Sequence, residues 1–172
     1  MKKNLSILIT SLAGGGAERV VSILLKELKN EFNVTLVLMN DTIDYEIPKD
    51  IKITYLENID QKQNSIVKIL KLPFLGYKYK NICQKNNIDI SLSFMYRPNF
   101  INVIAKLFGL KTKVLISERN TPSKVYIGNS LGSKVGNFLI KNLYSKADGI
   151  LPNSKGNSFD LIKNYNINQD KL

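Results

Sequence analysis

Short apolar runs, rich in β-branched residues, alternate with longer helical patterns along most of this chain. The run 34–39 is almost continuously hydrophobic, which is typical of a strand that is covered on both faces of a parallel sheet. The other predicted strands are 5–10, 51–56, 88–94, 113–117 and 148–151, and the predicted helices are 17–29, 65–84, 99–108, 131–144 and 154–164. This alternation predicts an α/β fold, an open parallel sheet flanked by helices, in a single domain spanning 1–172.

Charge narrows the classes of partner. The chain has 25 Lys and Arg against 14 Asp and Glu, a net charge of +11, which favours nucleic acid, phosphorylated substrates or acidic lipid surfaces. Solubility alone is the alternative explanation. The basic residues are mostly scattered lysines without an Arg-rich run, and this argues against nucleic acid.

The near absence of strong metal ligands limits the kinds of catalytic and metal site that the chain can form. The chain has no His and only one cysteine, Cys83. This excludes a His-based triad, a His general base and an ordinary zinc site within the chain, so no metal is predicted. A single cysteine cannot form an internal disulfide, which suits a reducing cytoplasm.

Gly14, Gly15 and Gly16 separate the first predicted strand from the first helix. Glycine lets backbone amides approach a ligand closely, and a helix N-terminus attracts anions. The dinucleotide fingerprint would need glycine or alanine at Arg19, and a P-loop would need Gly-Lys-Ser/Thr, so neither motif fits. The segment before Gly14 also resembles a signal peptide, but the glycines and helix favour a strand–loop–helix unit. A tight turn without a ligand is an equally good interpretation.

Three further loops follow predicted strands, where ligands bind in open parallel sheets. Their polar side chains, which suit sugar hydroxyls or phosphate, are Arg97 and Asn99, then Glu118, Arg119 and Asn120, then Asn153 and Ser154. Each loop has a structural alternative. Asn99 could start a helix, Glu118 could pair with Arg119, and Ser154 is predicted mainly to cap the last helix.

The stretch 66–80 mixes apolar, aromatic and cationic residues, with Pro73 interrupting its helical pattern. An amphipathic helix of this composition can lie in a membrane interface, with cations toward an anionic leaflet. The predicted membrane-facing cations are Lys68, Lys71, Lys78 and Lys80. A core-facing helix with a solvated basic side is the alternative.

Taken together, these residues make the chain resemble the N-terminal domain of a family 4 glycosyltransferase of the GT-B type. The resemblance is carried by 14–20, 116–120 and 144–154. A narrower likeness is to the N-acetylgalactosaminyltransferases that extend lipid-linked oligosaccharides in bacterial protein N-glycosylation. It is carried by 38–41, 45–48, 70–75, 97–99 and 151–157.

The resemblance implies one half of a GT-B fold, in which two Rossmann-like domains face a cleft. The N-terminal half binds a polyprenyl-diphosphate-linked glycan at the inner face of the cytoplasmic membrane, and an absent C-terminal half binds the UDP-sugar. It implies retaining transfer of a hexosamine, with GalNAc favoured, and no cofactor or metal. It places Gly14, Gly15, Gly16 and Arg19 near a diphosphate, and the other loop residues at the acceptor.

Many members of the family have a His in the loop after the strand that corresponds to 114–117, where this chain has Glu118, Arg119 and Asn120. No catalytic residue is therefore predicted, and the chain alone is expected to be inactive. Two alternatives stay open: a family 4 transferase of lipopolysaccharide or capsule synthesis, and a non-catalytic module that binds anions or RNA.

Overall fold

The computed structural model describes residues 2–57 and 65–172. The strands are β1 (Lys3–Ile9), β2 (Phe32–Leu38), β3 (Lys52–Tyr55), β4 (Ile90–Phe94), β5 (Lys113–Glu118) and β6 (Gly149–Pro152). The helices are α1 (Gly16–Leu28), α2 (Ser65–Leu70), α3 (Leu72–Lys85), α4 (Tyr96–Leu107), α5 (Pro122–Val125), α6 (Leu131–Leu143) and α7 (Lys155–Tyr165). The predicted strands and helices are therefore present, with ends that shift by a few residues.

The strands form one sheet in the order β3-β2-β1-β4-β5-β6, and every pairing is parallel. This is the strand order of the Rossmann fold, in which the direction of winding reverses between β1 and β4. The predicted α/β fold is confirmed. The reversal places a crevice at the carboxyl edge, between the glycine loop after β1 and the loop after β4.

Apolar side chains cover both faces of the sheet. Along β1, Ile7 and Ile9 pack in one cluster with Leu25 of α1, whereas Leu8 packs in the other with Ile101 of α4. Successive side chains of a strand point to opposite faces, so a strand covered on both sides must be apolar throughout. This explains the uninterrupted hydrophobic runs of the sequence.

Two helices differ in detail from the prediction. The helical spacing of Val20, Ile23, Leu24 and Leu28 predicts that they form the core-facing side of α1. The buried face is instead formed by Val21 and Leu25, and Ile23 is 51% exposed, so its predicted position is wrong. The helix 65–84 is broken at Lys71 into α2 and α3, because proline is well tolerated only in a first helical turn and Pro73 stands there. The predicted long loop after β5 contains the short helix α5.

Candidate functional site

The carboxyl ends of β4, β5 and β6 lie side by side, and this brings together the three polar loops that follow them. The Met95 amide donates to the Ser117 carbonyl at 3.2 Å, and the Asn153 amide donates to the Glu118 carbonyl at 3.1 Å. The side-chain amide of Asn153 also donates to the Arg119 carbonyl at 3.0 Å. Contacts from both neighbouring strands therefore fix the loop after β5.

Glu118 is the best-connected residue of this edge. Its carboxylate accepts hydrogen bonds from the amides of Arg119 at 2.9 Å and Asn120 at 3.0 Å, and from the Tyr144 hydroxyl at 2.5 Å. Burial raises the pKa of Glu118 to about 7, although these hydrogen bonds and the Arg119 charge act in the opposite direction. The carboxylate thus folds back on its own loop and sets the backbone course of residues 118–120.

Glu118 also ends a chain of buried hydrogen bonds that crosses the sheet. Its members are Ser6, Tyr79, Ser91, Asn102, Ser93, Asn99, Tyr144 and Glu118, in that order, with 2.5–3.2 Å between the bonded atoms of neighbours. Ser91 gives its proton to Asn102, so Tyr79 must donate to Ser91 and Ser6 to Tyr79. Every donor then faces toward the Glu118 carboxylate, and aligned hydrogen bonds of this kind polarise one another.

The buried hydrogen bonds contradict two of the predicted acceptor contacts. Asn99 and Glu118 are both 0% exposed, and their polar atoms are used inside the protein. A ligand at the carboxyl edge cannot touch these side chains in this arrangement. These side chains bond to one another instead: Asn99 donates to Tyr144, Tyr144 donates to Glu118, and Glu118 accepts from the amides of the next two residues.

The loop after β6 also has mainly internal contacts. The Ser154 hydroxyl accepts from the Asn157 amide at 3.1 Å, which confirms its predicted role as the cap of α7. The Asn153 side chain accepts from the Asn157 side-chain amide at 2.6 Å and donates to the Arg119 carbonyl. Arg119 is half-buried, whereas Asn120, Asn153 and Ser154 are exposed, so these predicted acceptor residues reach the surface at this edge.

Arg97 belongs to a charged cluster on the other side of β4. Its Nη2 donates to Glu57 at 3.0 Å, and Lys71 Nζ donates to the second oxygen of the same carboxylate at 2.9 Å. Two cations therefore share one anion. The Nε and Nη1 atoms of Arg97 and the hydroxyl of Tyr96 are buried and have no hydrogen-bond partner among the described residues. Buried donors usually have a partner, so these atoms mark a place for an acceptor group.

The glycine loop is less open than predicted. The Gly14 amide donates to the Asp44 carboxylate at 3.0 Å, and the Gly15 amide donates to the Ala13 carbonyl at 2.5 Å. The predicted anion contacts of these two amides are therefore taken by groups of the chain itself. Gly16 begins α1, whose N-cap lacks a side-chain hydrogen bond, so amides of the first turn remain available to a ligand. Arg19 is exposed on the same turn.

Apolar residues of α2 and α3 lie on the surface. Leu70 is 73% exposed and Phe74 is 67% exposed, and Ile66 is exposed as well, whereas Leu72, Leu75 and Tyr79 of α3 are buried in the core. The alternative of a core-facing helix is therefore confirmed for α3, and the membrane role of the exposed side chains stays a prediction. Of the four predicted cations, Lys71 binds Glu57 and Lys78 donates to the Leu56 carbonyl. Lys80 lies 5.9 Å from the centre of the Tyr77 ring, and Lys68 lies beside the cavity described below. Among the described residues, the helices are too short or too polar to cross a bilayer.

Sequence comparison finds relatives with named activities. The chain is 50% identical over 169 residues to the Campylobacter jejuni N-acetylgalactosamine-N,N'-diacetylbacillosaminyl-diphospho-undecaprenol 4-alpha-N-acetylgalactosaminyltransferase, a match that covers 98% of the chain and 46% of the relative. It is 28% identical over 149 residues to a C. jejuni alpha-1,4-N-acetyl-D-galactosaminyltransferase named for GalNAc-alpha-(1->4)-GalNAc-alpha-(1->3)-diNAcBac-PP-undecaprenol, covering 85% of the chain and 39% of that relative. No protein-family model matches the chain.

Comparison with solved structures finds proteins of similar fold. The lipopolysaccharide outer core galactosyltransferase WaaB superposes with a TM-score of 0.69 at 15% identity, over 94% of this chain and 42% of the other. At that identity the match shows the fold alone, a parallel sheet flanked by helices. The chain spans less than half the length of the two curated relatives it matches. The predicted resemblance to N-acetylgalactosaminyltransferases of lipid-linked sugars is confirmed.

Proposed function

We propose that this chain is the acceptor-binding half of a retaining family 4 glycosyltransferase. The complete enzyme transfers a hexosamine, with GalNAc favoured, from a UDP-sugar to a polyprenyl-diphosphate-linked glycan. The observation that carries the proposal is the 50% identity, over 98% of the chain, to a transferase whose name gives that donor sugar and a diphospho-undecaprenol acceptor. The second half of the enzyme, which binds the nucleotide, is proposed to lie outside this chain.

The carboxyl edge suits such an acceptor. Arg119 and Asn120 offer donors for sugar hydroxyls, and their backbone is held by the buried Glu118. On the other side of β4, Arg97 and Lys71 share one carboxylate among the described residues, and this excess of positive charge suits a diphosphate. In this proposal the chain binds and orients the acceptor, and it contributes the first turn of α1 to the donor diphosphate across the cleft.

The surface of α2 and α3 supports a location at the inner face of the cytoplasmic membrane. Leu70, Phe74 and Tyr77 are exposed, and lysines alternate with them along the two helices. Apolar side chains can enter the headgroup region while cations bind anionic lipid. A lipid-linked acceptor would then reach the carboxyl edge from the membrane beside it.

Expression of the complete reading frame tests the proposed activity. The protein is incubated with a panel of UDP-sugars and with synthetic polyprenyl-diphosphate glycans, and the products are identified by mass spectrometry. We expect transfer from UDP-GalNAc with retention of anomeric configuration, and no transfer by the 172-residue chain alone. Transfer only to lipopolysaccharide or capsule acceptors would contradict the proposed substrate, and turnover by the purified chain would contradict its assignment as one half of the enzyme.

A further inference from the structure

An open cavity of about 240 Å³ lies beside the carboxyl edge and is lined by α2, α3, α4, α6 and Tyr126. Its walls are mostly apolar. The apolar side chains that form them are Ile69 of α2, Leu72 of α3, Phe100 of α4, and Val135 and Leu139 of α6. Small-molecule sites usually occupy roughly 300–1,000 Å³, so this cavity suits one segment of a larger ligand.

One side of the cavity is polar and positively charged. Arg97, Tyr96 and Lys68 line it together with the apolar residues, and the buried Nε and Nη1 of Arg97 have no partner among the described residues. Glu57 balances only one of the two cations, Arg97 and Lys71, that bind it. A hydrocarbon segment that ends in an anionic group complements this combination of surfaces.

We propose that this cavity holds the first isoprene units of a polyprenyl diphosphate, with Arg97 bound to the phosphate that is attached to the lipid. The assignment rests on the proposed function, in which the acceptor is such a lipid. It adds that the enzyme recognises the hydrocarbon itself, in a site built into this half of the protein. The sugar then extends from the diphosphate past β4 toward Arg119 and Asn120 at the end of β5.

Two glycines of α6 lie at the wall of the cavity. Both Gly132 and Gly136 line it, and they lie one helical turn apart. A Cβ at Gly136 would lie 2.3 Å from the Tyr126 ring, so packing requires glycine there. A Cβ at Gly132 would meet no atom within 4 Å, so the fold has room for a larger side chain at this position, which lines the cavity. Gly132→Leu is therefore a variant that fills the site without disturbing the fold.

Calorimetric titration of the chain tests the assignment with two soluble probes, farnesyl diphosphate and inorganic pyrophosphate. We expect farnesyl diphosphate to bind at least about tenfold more tightly than pyrophosphate, because it fills the apolar cavity as well. Gly132→Leu should weaken farnesyl diphosphate about tenfold or more and leave pyrophosphate unchanged, whereas Arg97→Gln should weaken both. Lys134→Leu adds the same side chain to an exposed position of α6 outside the cavity and should change neither.

Thermal melts of each variant show whether it is folded. Equal affinities for farnesyl diphosphate and pyrophosphate, or full affinity for farnesyl diphosphate in folded Gly132→Leu, would overturn the assignment of the cavity. The transfer assay on the complete reading frame separates this result from a failure of the proposed function. If sugar is transferred to the lipid-linked acceptor equally well by Gly132→Leu, the isoprenoid site is contradicted and the proposed reaction stands. If the chain binds farnesyl diphosphate selectively but the complete enzyme transfers no sugar, the proposed reaction is contradicted and the isoprenoid site stands.

Discussion

Tyr144→Phe removes the hydroxyl that stands next to Glu118 in the chain of buried hydrogen bonds. That hydroxyl donates to Glu118 at 2.5 Å and accepts from the Asn99 side-chain amide at 3.2 Å. The ring stays, and it packs against Phe100 with 6.0 Å between the ring centres, so the variant leaves no large cavity. The substitution therefore tests how much the carboxylate of Glu118 depends on its one side-chain donor.

The expected cost depends on pH because Glu118 titrates near neutrality. Burial raises its pKa in the folded protein from 4.5 to about 7, so the folded state binds the proton more tightly than the unfolded chain. The contribution of Glu118 to stability is therefore greatest below pH 4.5, falls as pH rises to 7, and amounts to about 3 kcal/mol over this window. Loss of the Tyr144 hydrogen bond raises this pKa further. In the variant, the contribution of Glu118 to stability therefore continues to decrease above pH 7.

Urea unfolding at pH 5.5 and pH 8.5 measures this effect. We expect Tyr144→Phe to lower the free energy of unfolding by about 1 kcal/mol at the acid pH and by about 2–3 kcal/mol at the alkaline pH, since hydrogen bonds to charged groups are the stronger ones. Tyr165→Phe is the matched control, because its hydroxyl donates to the neutral amide oxygen of Asn137 at 2.6 Å. The control should lose about 1 kcal/mol at both pH values. A cost for Tyr144→Phe that does not change with pH would refute the reasoning.

Two further predictions concern the surface and the glycine loop. The chain should bind anionic vesicles and release them as salt is raised, because screening shortens the reach of surface charge. Substitution by Gln of the four cations Lys68, Lys71, Lys78 and Lys80 should weaken vesicle binding several-fold. Substitution of the exposed Leu70 and Phe74 by Ser should have a similar effect. Equal binding to neutral and anionic vesicles would contradict a membrane role. Gly16→Val should leave the thermal melt of the chain nearly unchanged and abolish sugar transfer by the complete enzyme.

The fold could be predicted from the sequence because its strongest signals are local. Apolar runs such as 34–39 identify strands buried on both faces, and the spacing of apolar residues between them identifies helices. The orientation of a helix is harder to predict, as Ile23 shows. It lies next to the buried face of α1 in the helical pattern, but the sheet covers Val21 and Leu25 and leaves Ile23 exposed.

The sequence predicted which loops form the candidate site better than it predicted which side chains are free to contact a ligand. Position at a strand end placed Glu118 correctly at the carboxyl edge, but it could not show that the carboxylate folds back to Tyr144, which follows 26 positions later. A signal for the buried chain does exist in the sequence: Ser91 and Ser93 repeat with the period of a strand, and Asn99 and Asn102 share one helix face. Glu57 carried no comparable signal, because its contacts with Lys71 and Arg97 depend on tertiary structure alone.

The Gly16→Val prediction distinguishes a ligand-binding loop from a tight turn. Gly16 does not have a positive φ, and a Cβ there would meet no atom within 4 Å, so the fold itself does not require glycine. Gly156→Val is a suitable control, because Gly156 lies in the first turn of α7 at the far edge of the sheet and its Cβ would meet only Ser154 Oγ, at 3.8 Å. If a diphosphate approaches the first turn of α1, valine at Gly16 blocks that approach, while valine at Gly156 leaves transfer intact. Stable Gly16→Val enzyme with undiminished turnover would show that the three glycines serve only to turn the chain from β1 into α1.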